Sequence, residues 1–429
     1  MPRIIFACCI LFIITSCNWS GKVVEQEFVD SCIAIKADKR KALLIADSIF
    51  WQKRLQDDTN SFTANVVLAN LLQQKFLLDG KVQQLAQANT QLTKINQLSA
   101  QKEAGVLRSL AALKLLQHQF SAAEAYAADA YTLGSERFET NLLLFDISLE
   151  LGKYSKAADY LATCKSNNEY SYFFRLSKYQ HWLGNVDSAV SAMQKAATLA
   201  NKNVHLAQAA LSNAGDLYLH EGEVKKAYAM YKKSLQLEAN DNHSLMGIAK
   251  IAMLKEGNIV LAEKCIDTVA ARTLLPDALW YKVWIAEAKK DSSLQYKTAL
   301  AFKNRVTDTA YGNMYNKYLI QLYVGVLQNY SLALEIAEKE LLNRSTAQTY
   351  SWYVYALHKN GQNEKALRVY DAHIAGKPLE ALELYWMGKF LQKMEKWYNA
   401  DKFLEAAEQN KYDLSPAQAA DLKRLLAGK

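Results

Sequence analysis

An alanine recurs along this chain at a nearly constant interval. Ala123, Ala157, Ala189, Ala227, Ala262, Ala333, Ala366 and Ala400 are separated by 34, 32, 38, 35, 71, 33 and 34 residues. The 71 spans two periods with one alanine missing. Repetition at this period, sustained from Ala123 to Ala400, predicts a solenoid, in which each unit buries its apolar face only by stacking on its neighbours. A globular chain of 429 residues would be two or three domains. In a solenoid, length counts units instead of cores, and the product is a long surface suited to binding.

The residues around each alanine repeat as well. Five positions earlier stands a turn residue, often glycine: Gly152, Gly184, Gly222, Gly257 and Gly361. Glycine suits the left-handed residue that commonly follows a helix. Three positions earlier stands Phe120, Tyr154, Val186, Val224, Ile259, Tyr330 or Trp397. The alanine is small because two helices of a pair approach closely there. Scarce Gly (16) and Pro (4) fit an uninterrupted helical array. Pro276, Pro378 and Pro416 fall at unit ends, where a residue that starts helices but cannot continue them is tolerated.

This pattern resembles the tetratricopeptide repeat (TPR). Leu211 to Asp241 carries it best, with Leu211, Gly215, Tyr218, Gly222, Ala227, Tyr231 and Ser234; Leu384 to Ala407 follows, with Gly388, Trp397, Ala400 and Ala407. The resemblance implies an all-α, right-handed TPR-type helical solenoid of about ten helix-turn-helix repeats. They fall at about 66–103, 104–137, 138–169, 170–207, 208–242, 243–277, 278–313, 314–346, 347–380 and 381–414. The first has Leu85 at the alanine position and Gly80 in its turn. In the seventh, Trp280, Tyr281, Trp284, Tyr296 and Ala299 fit two helices with a register slipped by two or three residues.

The domain plan is therefore a leader at 1–17, N-terminal helices at 18–65, the array at 66–414 and a capping helix at 415–429. Residues 22–58 read as two amphipathic helices that cap or extend the first repeats. Ser415 and Pro416 open the last helix, whose Asp421, Lys423 and Arg424 suit a solvated end. At the start, Arg3 precedes an apolar run too short to span a bilayer. Ile14-Thr15-Ser16-Cys17 resembles the bacterial lipobox, which implies a lipoprotein signal peptide and acylation at Cys17. An ordinary signal peptide with a chance cysteine is the alternative. The residues after Cys17 lack an acidic run, so the expected location is the bacterial cell envelope, on the periplasmic face of the outer membrane. Cys164 and Cys265 read as buried hydrophobes.

Catalytic signatures are missing. The seven histidines show no HExxH and no metal-ligand spacing, and there is no GxxxxGK[ST], GxGxxG or GxSxG. The expectation is no enzyme, no cofactor and no metal. The net charge of +8 is spread over all repeats beside acidic residues, which argues against nucleic acid as the partner.

In TPR arrays the first helices line a concave groove through residues 2, 5, 9, 12 and 13 of each unit. Carried onto this chain, those positions give Phe174, Lys178, His181 and Trp182 in the fourth repeat and His220 in the fifth. They give Tyr355, His358 and Lys359 in the ninth, and Tyr385, Lys389 and Lys393 in the tenth. The last two repeats are expected to hold an extended peptide, with aromatic anchors and basic rims. The functional expectation is a protein-binding scaffold with a protein or peptide partner and a lipid anchor in the membrane. Two rivals stay open: a glycan-binding envelope lipoprotein, with Trp182, Trp280, Trp284 and Trp352 as stacking candidates, and a soluble periplasmic co-chaperone.

Overall fold

A computed structural model describes residues 21–35, 38–200 and 203–428. The lipobox and Cys17 lie outside the described residues. Within them are 23 α-helices and no strand. Two precede the array, α1 (Gln26–Ala34) and α2 (Lys39–Asp57). Ten antiparallel pairs follow. The first five are α3 (Phe62–Asp79) with α4 (Gln83–Leu98), α5 (Ala104–Leu116) with α6 (Phe120–Thr132), α7 (Arg137–Glu150) with α8 (Tyr154–Thr163), α9 (Tyr170–Trp182) with α10 (Val186–Leu199), and α11 (Val204–His220) with α12 (Val224–Leu237). The second five are α13 (Asn242–Leu254) with α14 (Ile259–Arg272), α15 (Asp277–Ala288) with α16 (Ser292–Val306), α17 (Asn316–Val324) with α18 (Tyr330–Asn343), α19 (Ala347–Lys359) with α20 (Asn363–His373), and α21 (Ala381–Lys393) with α22 (Trp397–Gln409). A final helix, α23 (Pro416–Ala427), closes the chain.

Every pair turns through one residue of positive φ: Gly80, His118, Gly152, Gly184, Gly222, Gly257, Lys290, Gln328, Gly361 and Glu395. Each stands five positions before the small-residue site. The eight recurring alanines are fully buried, and so is Leu85. The register of the seventh pair does not slip, contrary to expectation. Lys290 makes its turn, so Gln295, not Ala299, occupies the alanine position. Its amide donates to Glu287 at 2.9 Å. At the four turns without glycine, the left-handed conformation costs about 1–2 kcal/mol, which packing of the pair outweighs.

Packing between pairs five and six runs through one ring. A Cβ on either Gly215 or Gly247 would lie 2.4 Å from Tyr231, so the ring is clamped between two bare backbones. Its hydroxyl donates to Asp216 at 2.6 Å.

The array coils until its second half rests on its first. The Leu274 amide donates to the Asp79 carbonyl at 2.8 Å. The Gln117 side chain donates to the Ala310 carbonyl at 2.7 Å, 193 residues away. The Asn343 amide donates to His118 O at 2.7 Å, and its oxygen accepts from Phe120 N at 3.1 Å. Arg344 pairs with Glu150 at 2.7 Å, 194 residues apart. Asn410 donates to His220 O at 2.9 Å. The hairpin tips of pairs one, two, three and five thus dock on the segments that follow pairs six, seven, eight and ten. Pairs one to five form one superhelical turn and pairs six to ten a second. Gly312 marks how close they come: a Cβ there would sit 2.5 Å from the Gln117 carbonyl oxygen.

The coil also redirects the N-terminus. Helix α2 packs on α3 and extends the first pair, as expected. Helix α1 does not cap the first repeat. It lies on α14, with Val29 and Cys32 buried there, Asp30 paired to Lys264 at 2.8 Å, and Arg272 donating to the Cys32 carbonyl. Coiling brings pair six beside the chain start, and α1 covers apolar surface there.

Candidate binding grooves

The first helices of the first turn form an open concave face. Phe62, Val66 and Asn70 from α3, with Gly105, Arg108 and Ala112 from α5 and Glu139 at the start of α7, line a hollow of about 730 Å³. Asn70, Gly105, Arg108, Ala112 and Glu139 occupy the carried-over groove positions of the first three repeats. Sequence reasoning had the rule that finds them but applied it only to later units. The groove continues to α9. Phe174 is half-buried there and Lys178 exposed, with the ammonium 5.6 Å from the ring centre. Asp146 on α7 holds Arg175 at 2.7 Å and Lys178 at 3.2 Å. Arg108 pairs with Glu136 and donates to the Ser135 carbonyl. Both signs of charge therefore line this face beside apolar patches.

The second turn is different. Tyr355, Lys359, Tyr385 and Lys389 do converge, on a cavity of about 240 Å³ shared with Trp280, Trp284 and Glu287. It is not an open groove. Helix α23 lies across it, adding Ser415 and Gln418 to the wall. The Tyr385 hydroxyl donates to Asp421 Oδ2 at 2.6 Å, and Lys389 reaches the same oxygen at 2.7 Å. Burial and the Asp421 contact drive the Tyr385 phenol far above its ordinary range. Burial works against the Asp421 carboxylate, but Lys389 and Tyr385 outweigh it and hold its pKa low. Tyr355 stacks on Trp386, with ring centres 4.6 Å apart.

The expected five-residue peptide groove is corrected accordingly. Both aromatic anchors are buried, Tyr355 stacked and Tyr385 bonded internally, and Asp421, read as a solvated cap residue, points inward. Lys359 lies over the Tyr330 ring at 5.0 Å. Lys393 is exposed outside the cavity. His358 Nδ1–H donates within its own pair, to Asn363 Oδ1 at 2.8 Å.

The remaining predicted residues sit in the seam between turns. Trp182 stacks on Tyr154, centres 4.1 Å apart. The His181 and His220 rings lie edge to face at 4.9 Å. His220 Nδ1 meets Asp413 at 2.6 Å, and Lys250 meets the other Asp413 oxygen at 2.7 Å. Burial pulls the His220 pKa down, but the bond and charge of Asp413 override it and raise it. Burial dominates at His181 and lowers it.

Residues 210–245 match the tetratricopeptide repeat family, the stretch clamped around Tyr231. The chain is an all-helical solenoid of the TPR type. Comparison with curated proteins returns no match. Among solved structures it is similar to human IFIT1, a dimer with PPP-AAAA, at 13% identity and TM-score 0.48, covering 73% of this chain and 72% of that one. It is also similar to Pseudomonas aeruginosa PilF, at 13% identity and TM-score 0.36 over 50% and 97% of the two chains. A tetratricopeptide repeat protein from Parabacteroides merdae shares 14% identity and TM-score 0.33 over 68% and 100%.

Proposed function

We propose that the chain is a non-enzymatic scaffold, lipid-anchored at Cys17 in the bacterial cell envelope, that holds an extended segment of a partner protein in the first-turn groove. The observation that carries this reading is the contrast between the two concave faces. One is open, with apolar, basic and acidic positions from four successive first helices; the other is filled by the chain's own last helix. The cations of the open face sit against Asp146 and Glu136, which suits a peptide better than a phosphate backbone. The glycan reading loses its carriers. Trp280, Trp284 and Trp352 are buried, and Trp182 is already stacked. Burial raises the pKa of all three described thiols, that of Cys265 to about 12, which suits packing rather than nucleophilic chemistry.

The anchor has a geometric consequence. Glu256 accepts from the amides of Val23 and Val24 at 2.6 and 2.8 Å, fixing the chain to pair six. Only residues 18–22 separate that point from Cys17, a reach of about 20 Å fully extended. The scaffold would then stand close to the bilayer, with the turn of pair six nearest it. Among the described residues, no helix is long and apolar enough to cross a membrane.

Two experiments test the proposal. Cys17→Ala should abolish palmitate labelling and move the chain to the soluble fraction, because acyl chains contribute about 0.8 kcal/mol per buried methylene. Unchanged labelling sinks the anchor, and protease accessibility on intact cells tests the periplasmic placement. Affinity capture from detergent-solubilised envelope should yield a partner that Phe174→Ala with Lys178→Ala loses. Capture undiminished in that variant sinks the groove.

A further inference from the structure

We propose that His181, His220 and Glu380 form a binding site for a divalent transition-metal ion of the zinc type, fastening the first superhelical turn to the second. His181 lies in the last turn of α9, His220 ends α11, and Glu380 immediately precedes α21. One ligand atom from each lies within 4.8 Å of the others. Two imidazoles and a carboxylate are a donor set that zinc and its neighbours favour. Drawing the triangle in to about 3.3 Å, the edge of a tetrahedron with bonds near 2.0 Å, lies within the reach of side-chain rotation. A fourth position remains for water.

The surroundings support a ligand role rather than a chance meeting. His220 Nδ1 is bonded to Asp413 at 2.6 Å, which fixes the ring and leaves Nε2 as its remaining donor. A carboxylate on the far nitrogen of a histidine is the usual orienting partner of a metal ligand. Lys250 holds that carboxylate in turn at 2.7 Å. Among the described residues, neither His181 nor Glu380 makes a side-chain hydrogen bond that would compete with a metal. Glu380 precedes α21 without a side-chain cap bond. No sequence motif could show this site. Its ligands come from two adjacent repeats and from a connection one superhelical turn later.

The competing account is an ion pair alone, with His220 as an imidazolium on Asp413. Zinc titration of the chelator-treated full chain, against a competing chelating dye, separates the two. The site predicts one zinc per chain, a rise in melting temperature with zinc, and visible absorption of a low-coordinate Co²⁺ substitute. Glu380→Gln changes an exposed side chain that caps nothing, so it should fold normally. It and His181→Gln should each weaken zinc at least tenfold and erase the melting shift. Asp413→Asn, which touches no metal but weakens the hold on His220 and Lys250, should cost about 10–100-fold. Less than one zinc bound at micromolar concentration, or Glu380→Gln and His181→Gln binding as tightly as the parent, overturns the proposal.

Discussion

The two superhelical turns are built from the same unit, yet one keeps its concave face open and the other closes it. The difference lies in how each end of the solenoid is covered. At the start, α2 packs alongside α3 and leaves the face of α3, α5 and α7 free. At the end, α23 runs back over α21 toward α15, and its Asp421 is bonded to two groove residues. A terminal helix can satisfy the last repeat either from its end or from its groove. Only the first solution preserves a binding surface.

Single buried leucines offer the largest effects and test both ends. Leu422 anchors α23 and Leu85 fills the alanine site of the first pair; both are fully buried. Each change to alanine should cost about 2–5 kcal/mol in urea melts. Leu422→Ala should leave partner capture intact, because it loosens only the closed face. Loss of capture there would break the contrast between the turns.

Overpacking comes next. Ala227→Leu places a larger side chain where pair five closes, and should cost about 1–3 kcal/mol. A melt with no loss would mean that the alanine sites are not close-packed.

The turns should also differ in pH response. Burial and the nearby Arg344 charge pull His118, at a first-turn tip, down to about 4. As pH falls from about 6.5 toward 4, the unfolded chain takes up a proton that the native chain refuses, so stability drops across that window. His243, on the first helix of the second turn, has the opposite sign. The Asp216 charge raises it to about 9. Its contribution is fully present below about 6.5 and is lost as pH rises through 9. Urea midpoints across pH should lose their acid-side slope in His118→Gln and their alkaline-side slope in His243→Gln. Unaltered slopes would remove these residues from the account.

The smallest effect is at the rim of the open groove. Lys178→Ala removes an exposed pair with Asp146, worth at most about 1 kcal/mol. It should weaken capture chiefly at low salt. A loss independent of salt would make Lys178 an anchor rather than a rim residue.

Much of the fold was legible because it is local. The alanine spacing places nine of the ten turns five positions earlier, counting Leu85 as the first site, and His118, Gln328 and Glu395 fall there although no glycine marks them. It missed Gln295 because Ala299 offered a more familiar residue nearby. The coil that joins the turns was not legible. It accumulates from small rotations between repeats, so contacts such as Gln117 with Ala310 leave no local signature. Of the carried-over groove positions, Tyr355, Lys359, Tyr385 and Lys389 do meet. What the sequence could not reveal was the helix lying over them, because Asp421 has the polarity of a solvated residue. Coiling also took His181, Trp182 and His220 from the groove into the seam.

The central claim is that the partner occupies the first turn and not the second. Site-specific photo-cross-linking in the envelope tests it most directly, with the reactive group placed at Ala112 in one protein and at Lys359 in another. Ala112 is exposed on the open face, whereas Lys359 lines the cavity beneath α23. The account predicts a cross-linked partner from position 112 and none from position 359. A partner cross-linked from position 359 alone would contradict it, because α23 would then have to leave the groove for binding.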